Sequence, residues 1–387
     1  MTTKIAIVNI KNYDSIPDAV VTAIKLIEPY LNYDIHHFNN ILLKPNLLRA
    51  SKDACTQPEF LKGVIIYLKQ SGISMDKIKI GDSPGQIRMF ASDIAKKVGL
   101  YDICEKEGIS FVDFEKEIPV KETLDEASRL KEYYVSKPVK DCELLINLPK
   151  LKTHGEATIT GAIKNYWGII PGGLKAKFHL LGKNPTEFGE ALADNYSWIV
   201  KNKKNRLTIY DLQRVMQGPM GPVSGPMKKW NLIMVGTDEL ALDLVALKIG
   251  KLNAEKYVPH LKNASERGLG ISDLKEIEIL GLTINEAKNL VPKFRVPGRR
   301  MTKFASFITG KIVYKVTKRV PKLKKKICKR CKQCYEICPA NAIKIDENNY
   351  PNFLKRKCIS CLCCLEICPQ QAIKSKQRGF LGLFHSY

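Results

Sequence analysis

Nine of the twelve cysteines lie between Cys328 and Cys368, while Cys55, Cys104 and Cys142 are scattered through the rest of the chain. The nine are ordered. Cys328, Cys331, Cys334 and Cys338 precede Pro339, and Cys358, Cys361, Cys364 and Cys368 precede Pro369, with identical gaps. Thiolates this close on a tight loop hold soft metal. The run C-x2-C-x2-C-x3-C-P has the spacing of two-cluster ferredoxins, in which each run gives its fourth cysteine to the other cluster. One [4Fe–4S] cluster is therefore expected on Cys328, Cys331, Cys334 and Cys368, and a second on Cys358, Cys361, Cys364 and Cys338. Zinc also takes C-x2-C pairs, but the repeated third cysteine and the proline suit it poorly. Cys363 matches no repeat position and reads as a spare thiol. The repeat outlasts the cysteines, since Ala342-Ile343-Lys344 and Ala372-Ile373-Lys374 share its 30-residue offset. Such crowding behind a cysteine-poor region, without an export signal, points to a reducing, cytoplasmic setting.

A second set of residues could do chemistry of another kind. Apolar runs at 41–43, 78–80, 144–146, 207–210 and 232–235 each end in polar residues. Lys44 and Asn46 follow the first, Asp82 and Ser83 the second, and Asn147 to His154 the third. Asp211 follows the fourth and Gly236-Thr237-Asp238 the fifth. His154, with Lys150 and Lys152 before it and Lys164 and Asn165 beyond, is an acid–base candidate. The lysines suit a carboxylate or phosphate, and Asp82 or Asp211 would orient a lysine or the substrate. Each acid could instead be a cap or a turn former: Asp238 stands where an N-cap would, and Gly81-Asp82-Ser83 could be only a turn. Tyr166 and Trp167 could stack on a flat ligand or simply pack. The chain has no phosphate-binding P-loop, no G-x-G-x-x-G after a strand and no G-x-S-x-G elbow. A flavin stays open as a cofactor, without a motif.

The elements that must position these residues are legible in outline. Over 1–290, short β-branched runs, beginning with 5–10, alternate with helical patterns at 58–70, 185–200 and 239–249. This predicts an α/β domain with a mainly parallel sheet covered by helices on both faces. Ligands of such sheets bind beyond the carboxyl ends of the strands, so five polar strand ends should form one cleft. Residues 114–134 read as an insertion, 291–326 as a basic linker, 327–376 as a small α+β ferredoxin-like dicluster domain and 377–387 as an apolar tail. Residues 291–330 hold 15 Lys or Arg and no acid, a large share of the net charge of +24. Met301, Ala305, Ile308, Ile312 and Val316 recur there at helical spacing. A solvated connector is expected, with weak contact to an acidic membrane surface or partner as the alternative. Charge confined to a linker, without helix-turn-helix or finger spacing, argues against nucleic acid. No apolar run is long enough to span a membrane, and MTTKIAIVNI reads as a first strand, not a secretory signal.

The same segments resemble a known family. Lys44-Pro45-Asn46, Gly81-Asp82-Ser83-Pro84, the run from Asn147 to His154, and Gly161-Ala162-Ile163-Lys164-Asn165 with Gly168 are similar to motifs of the domain of unknown function 362 (DUF362). So are Asp211, the loop from Gly218 to Gly225, and Val235-Gly236-Thr237-Asp238 with Asp243. The likeness covers about residues 1–285. Some members carry a C-terminal dicluster ferredoxin module, so the resemblance implies an iron–sulfur protein. It supplies no substrate.

Three functions follow as alternatives. In an iron–sulfur oxidoreductase, the clusters exchange electrons with an anionic substrate or cofactor. Lys44, Asn46, Asp82, Ser83, Lys150, Lys164 and Asn165 would hold it, with His154, Lys152 and Asp211 as the catalytic group. In an electron-transfer subunit, the large domain only docks a redox partner protein. In a non-redox enzyme, the clusters serve structure alone.

Overall fold

A computed structural model of the chain describes residues 2–84, 89–172, 174–179, 184–218, 221–223, 225–254, 258–296, 319–359, 363–368 and 370–377. The proposed helix around 301–316, the tail after 377 and Cys361 lie outside the described residues.

All six expected strands are present. In chain order the large domain has β1 (Thr3–Asn9), β2 (Ile41–Lys44), β3 (Ile78–Asp82), β4 (Ser110–Asp113), β5 (Pro119–Thr123), β6 (Glu132–Ser136), β7 (Leu144–Asn147), β8 (Lys150–His154), β9 (Thr158–Thr160), β10 (Arg206–Met216), β11 (Met227–Gly236) and β12 (Ile277–Gly281). The main sheet has the order β12-β1-β11-β10-β7-β2-β3-β4, with β8 paired to β10 and β9 to β8. The supposed insertion forms a separate antiparallel hairpin of β5 and β6.

Alternate residues of each strand point to opposite faces, and both faces are buried. Ile5, Ile7, Leu42 and Leu145 join one core, which packs helices Pro185–Asn202, Glu239–Ile249 and Pro259–Glu266. Ala6, Val8, Ile41, Leu43, Leu144 and Ile146 join the other, against helices Ile16–Ile27, Pro58–Gln70 and Ala91–Val98. Burial on both sides explains why these strands read as continuous apolar runs rather than alternating ones.

Within the main sheet the pairings are parallel except β1–β11, β10–β11 and β8–β9. This corrects the five-strand cleft. β11 begins at Met227 after β10 ends at Met216, a connection too short for the crossover that a parallel pair needs, so the pair is antiparallel. Gly236 therefore lies beside Thr208, near the start of β10. Asp238 leaves the sheet at the end opposite to Lys44, Asp82 and Asn147. There it accepts from Ala241 N at 2.9 Å and caps the helix Glu239–Ile249. Four strands, not five, bring polar residues to the common end. A second correction concerns 150–154, read only as polar residues that follow the strand at 144–146. It is strand β8, buried at every position and parallel to β10, with Lys150 beside Asp211.

In the C-terminal module, β13 (Arg319–Leu323) pairs with β16 (Ile373–Gln377), and β14 (Ile343–Ile345) with β15 (Pro351–Phe353). Its sheet thus begins inside the segment read as linker. Short helices Gln333–Glu336 and Cys363–Ile367 each begin within a cysteine run. The 30-residue repeat is structural: Ala342 N donates to Cys338 Sγ and Ala372 N to Cys368 Sγ, both at 3.2 Å.

Candidate functional site

Lys44 ends β2 and Asp82 ends β3, neighbours in the sheet. Lys44 Nζ lies 2.7 Å from Asp82 Oδ1, and both side chains are buried. Asp82 also accepts from Leu47 N at 2.7 Å and Ser83 N at 2.8 Å, so it is more than a turn former. Burial pulls the Lys44 pKa down, and the Asp82 carboxylate opposes that. Gly168 closes over the pair. A Cβ there would stand 2.2 Å from Asp82 Oδ1 and 2.7 Å from Lys44 Nζ. Gly168→Ala should therefore cost about 1–3 kcal/mol through overpacking. An unchanged melting temperature would show that the pair gives way freely.

Lys150 and Asp211 make a second pair, at 2.8 Å and with both side chains fully buried. Asp211 Oδ1 accepts from Gln213 N at 3.1 Å. Each of these lysines is thus held by an aspartate. Lys152 donates to Asn46 Oδ1 at 2.5 Å and to Ala54 O at 2.7 Å.

From Asn46 a chain of amides runs inward. Asn46 Nδ2 donates to Asn165 Oδ1 at 2.9 Å, and Asn165 Nδ2 donates to Asn147 Oδ1 at 2.7 Å. Asn147 Nδ2 reaches Thr208 Oγ1 at 3.3 Å, and Thr208 donates to Glu239 at 3.0 Å. Buried amides are costly unless satisfied. The segment 161–165 is fixed from below by Asp243, which accepts from Ala162 N and Ile163 N at 2.8 and 3.1 Å. Tyr166 is fully buried and donates to Glu239 at 2.7 Å, so it belongs to the core.

His154 ends β8. Its Nδ1 accepts from Glu156 N and Ala157 N, both at 3.1 Å. A nitrogen that accepts cannot carry the proton, so the neutral ring bears it on Nε2. The ring stacks on Phe188 at 6.3 Å between centroids, and Lys164 Nζ lies 5.8 Å from the centre of the same phenyl ring.

The cysteines gather around two cavities. Cys328, Cys331, Cys334 and Cys368 line one of ≈ 360 Å³, and Cys338, Cys358 and Cys364 line another of ≈ 340 Å³. Each cavity draws on both runs. Burial pushes the Cys334 thiol up to about 12, and the adjacent Cys368, Cys331 and Cys328 add to the shift. Thiols packed this closely resist ionising together unless a cation compensates. Among the described residues no three His, Cys, Asp or Glu side chains are placed to hold a single ion. A cubane binds each sulfur through a different iron, so its thiolates stand apart around a space, as these do. The donor set fits an iron–sulfur cluster.

A family model described as a domain of unknown function, DUF362, matches residues 41–248. The chain belongs to the DUF362 family. A 4Fe-4S dicluster domain matches residues 327–373, so this DUF362 protein is an iron–sulfur protein. It is 32% identical over 221 residues to the thylakoid-associated protein sll1697 of Synechocystis, covering 56% of this chain and 64% of that relative. Among solved structures, a Thermotoga maritima protein is similar over 52% of this chain and 50% of its own, with TM-score 0.35 and 14% identity. The lactate racemase apoprotein of Thermoanaerobacterium thermosaccharolyticum is similar over 56% of this chain and 51% of its own, with TM-score 0.36 and 15% identity. Among the described residues no helix is long and apolar enough to cross a membrane.

The DUF362 domain also holds two titrating groups with no signal in the sequence. Lys175 donates to Ser83 O and Pro84 O, and Ser83 Oγ accepts from Gly172 N at 2.9 Å. Burial pulls Lys175 down to about 8, against the pull of Asp82 and Glu115. Glu115, whose oxygens have no hydrogen-bond partner among the described residues, is pushed up to about 7 by burial, against the pull of Lys175. Between about 4.5, the ordinary value, and about 7 the native carboxyl keeps a proton that the unfolded chain has given up. Glu115 therefore lowers stability as pH rises through that window. Glu115→Gln should flatten the dependence. The check is the urea midpoint at pH 5 and pH 8, followed by tryptophan fluorescence, since Trp167, Trp198 and Trp230 all lie in the large domain. Equal pH dependence in both proteins would refute the assignment.

Proposed function

We propose that this DUF362 protein is an oxidoreductase in which two [4Fe–4S] clusters exchange electrons with an anionic organic molecule bound at the carboxyl end of β2, β3, β7 and β8. The observation that carries this reading is one loop. Thr153, between Lys152 and His154, donates to Gly218 O at 2.8 Å, and Gly221 leaves no room for a Cβ against Thr153. Val223 of that loop packs into the cysteine core with Cys334, Cys364 and Cys368. The polar site and the cysteine cavities are thus built against the same few residues.

Cys328, Cys331, Cys334 and Cys368 would hold one cluster, and Cys338, Cys358, Cys361 and Cys364 the other. When bound, the clusters supply electrons one at a time, received from a low-potential one-electron carrier protein and passed on, two electrons and two protons for each substrate reduced. Lys44 and Lys150 are held by Asp82 and Asp211 and keep the strand ends in place with Asn46, Ser83 and Asn165. Lys152 and Lys164 provide positive charge for a carboxylate or phosphate. His154, its Nδ1 fixed by two backbone donors, would donate a hydrogen bond from Nε2 to the charge that develops on the substrate, whose protons come from water. The exposed Lys329, Arg330 and Lys332 around the first cavity suit an acidic carrier protein. Contact of the basic segment 291–330 with acidic lipid would be weak and screened by salt. A cytoplasmic location and no nucleic-acid partner complete the reading. The test is anaerobic reoxidation of the reduced protein by candidate carboxylates and phosphates. Reoxidation by none of them, with fast transfer to a partner protein, would favour a docking subunit.

A further inference from the structure

The two cysteine runs are alike in their ligands and unlike in what they show to water. Tyr335 follows Cys334 and is 49% exposed. Leu365, which matches it at the 30-residue offset, follows Cys364, is 3% exposed and shares a core with Val223 of the large domain. Ile327, beside Cys328, is a second large apolar residue left exposed. Between Lys325 and Tyr335 the chain has five cations and no acid. Lys329, Arg330 and Lys332 stand among the ligands, whereas Ile359, Ser360 and Leu362 take the matching positions of the second run. Cluster ligation asks for none of these differences, because the cysteine spacing is the same in both runs.

The cations are held where they stand. The Lys325 ammonium and the Arg330 guanidinium lie 5.1 and 4.9 Å from the centre of the Tyr350 ring, close enough for cation–π attraction. Arg330 and Lys332 take φ of 56° and 60°, and Arg330 N donates to Cys328 Sγ at 3.4 Å, so the loop is wound round one of its own ligands. Lys329, Arg330 and Lys332 line the first cavity together with Cys331, and all four residues are exposed. Among the described residues no cation lines the other cavity.

We propose that the surface around Cys331 is the docking site of an acidic one-electron carrier protein, and that electrons enter through the cluster held by Cys328, Cys331, Cys334 and Cys368. The inference rests on the exchange with a carrier in the oxidoreductase reading and adds the place where it happens. Cations of one sign steer an acidic partner to the surface. Tyr335 and Ile327 supply the apolar contact, which is enough for the small, short-lived interfaces of electron transfer. In the step itself the carrier is oxidised by one electron and the cluster is reduced by one, with no bond made or broken and no proton moved. A second copy of this chain would set the same cations against each other. An acidic lipid surface would match the charge, but it has no use for a cluster ligand open to solvent at the centre of the cations.

The probe is an acidic plant-type [2Fe–2S] ferredoxin, mixed anaerobically with the full-length, iron-loaded protein while stopped-flow absorbance follows electron exchange at rising salt. Wild-type exchange should be fast at low salt and slow as salt screens it. Lys329→Glu with Arg330→Glu should slow it at least about tenfold at low salt and flatten its salt dependence. Lys96→Glu with Lys97→Glu, an equal change of charge on the helix Ala91–Val98 of the large domain, should alter it less than about twofold. Tyr335→Ser should slow exchange and leave the salt slope alone. Iron content, and reduction by a photoreduced deazaflavin as a small uncharged reductant, should be the same in every protein. Should Lys329→Glu with Arg330→Glu lose iron, Lys325→Glu with Lys332→Glu should show the same loss of rate. Salt-independent exchange, equal slowing by the large-domain variant, or wild-type exchange in an iron-replete charge variant of the run would overturn the proposal. So would lost binding to vesicles of acidic phospholipid with exchange unchanged, which would make the patch a lipid contact. No substrate enters these measurements, so the docking site and the oxidoreductase reading can fail separately.

Discussion

Cys338→Ser should halve the iron of the protein, from about eight atoms per chain to about four, and the cluster lost should be the one held by the other run. The reason lies in the two cavities. Cys338 belongs by sequence with Cys328, Cys331 and Cys334, yet it lines the cavity of Cys358 and Cys364. Cys368 lines the cavity of the first run. Double variants separate crossed from uncrossed ligation, because two lesions in one cluster do not add whereas lesions in different clusters do. Cys338→Ser with Cys358→Ser should lose no more iron than Cys338→Ser alone. Cys338→Ser with Cys328→Ser should lose nearly all of it. The opposite pattern would mean that each run keeps its own fourth cysteine. Cys363 is buried on the helix Cys363–Ile367 and lines neither cavity, so Cys363→Ser should keep its iron.

The cysteine module was legible because metal-ligand spacing is a local property and the repeat writes it twice. Much of the sheet was legible for a similar reason. Strands buried on both faces, such as Ile41–Lys44 and Leu144–Asn147, need unbroken apolar runs. Two of the strands that escaped notice are at the edges of the main sheet. Ser110–Asp113 and Ile277–Gly281 each have one neighbour in the sheet and are only partly buried, so their residues are free to be polar. The direction of β11 was not legible from its own residues, since an apolar run carries no arrow. Only the short connection between Met216 and Met227, too short for a crossover, marks it as antiparallel.

The polar site shows the same limit from the other side. Lys150–His154 looks like a loop because lysine is depleted in strands. It is a buried strand because Asp211 and Asn46 neutralise or hydrogen-bond its lysines, and both come from segments distant in sequence. Glu115 and Lys175 were invisible for the same reason. Nothing near them in the chain sets them apart, and their surroundings exist only once segments distant in sequence have packed together.

His154→Ala and Lys152→Ala should each slow substrate-dependent reoxidation of the reduced protein about ten- to hundredfold while leaving iron content and the cluster spectra intact. Lys152 is buried at the end of the sheet, where Asn46 Oδ1 and Ala54 O accept from its Nζ, and a cation so placed can serve an incoming anion. Losing one charge-assisted contact costs about 1.5–3 kcal/mol, which corresponds to that loss in rate or affinity. The two variants should differ in kind. Without Lys152, binding should weaken, so higher substrate should restore much of the rate. Without His154, the hydrogen bond from Nε2 to the developing charge is missing, and saturation with substrate should not restore the rate. Imidazole in the buffer should then raise the His154→Ala rate, and the wild-type rate should be indifferent to it. Stopped-flow absorbance of the reduced clusters, mixed anaerobically with candidate carboxylates and phosphates, reads both effects. If an effective oxidant is found and both variants match the wild type, the end of the sheet is not where that molecule binds. The exposed basic residues around the first cysteine cavity would then be the place to look for it.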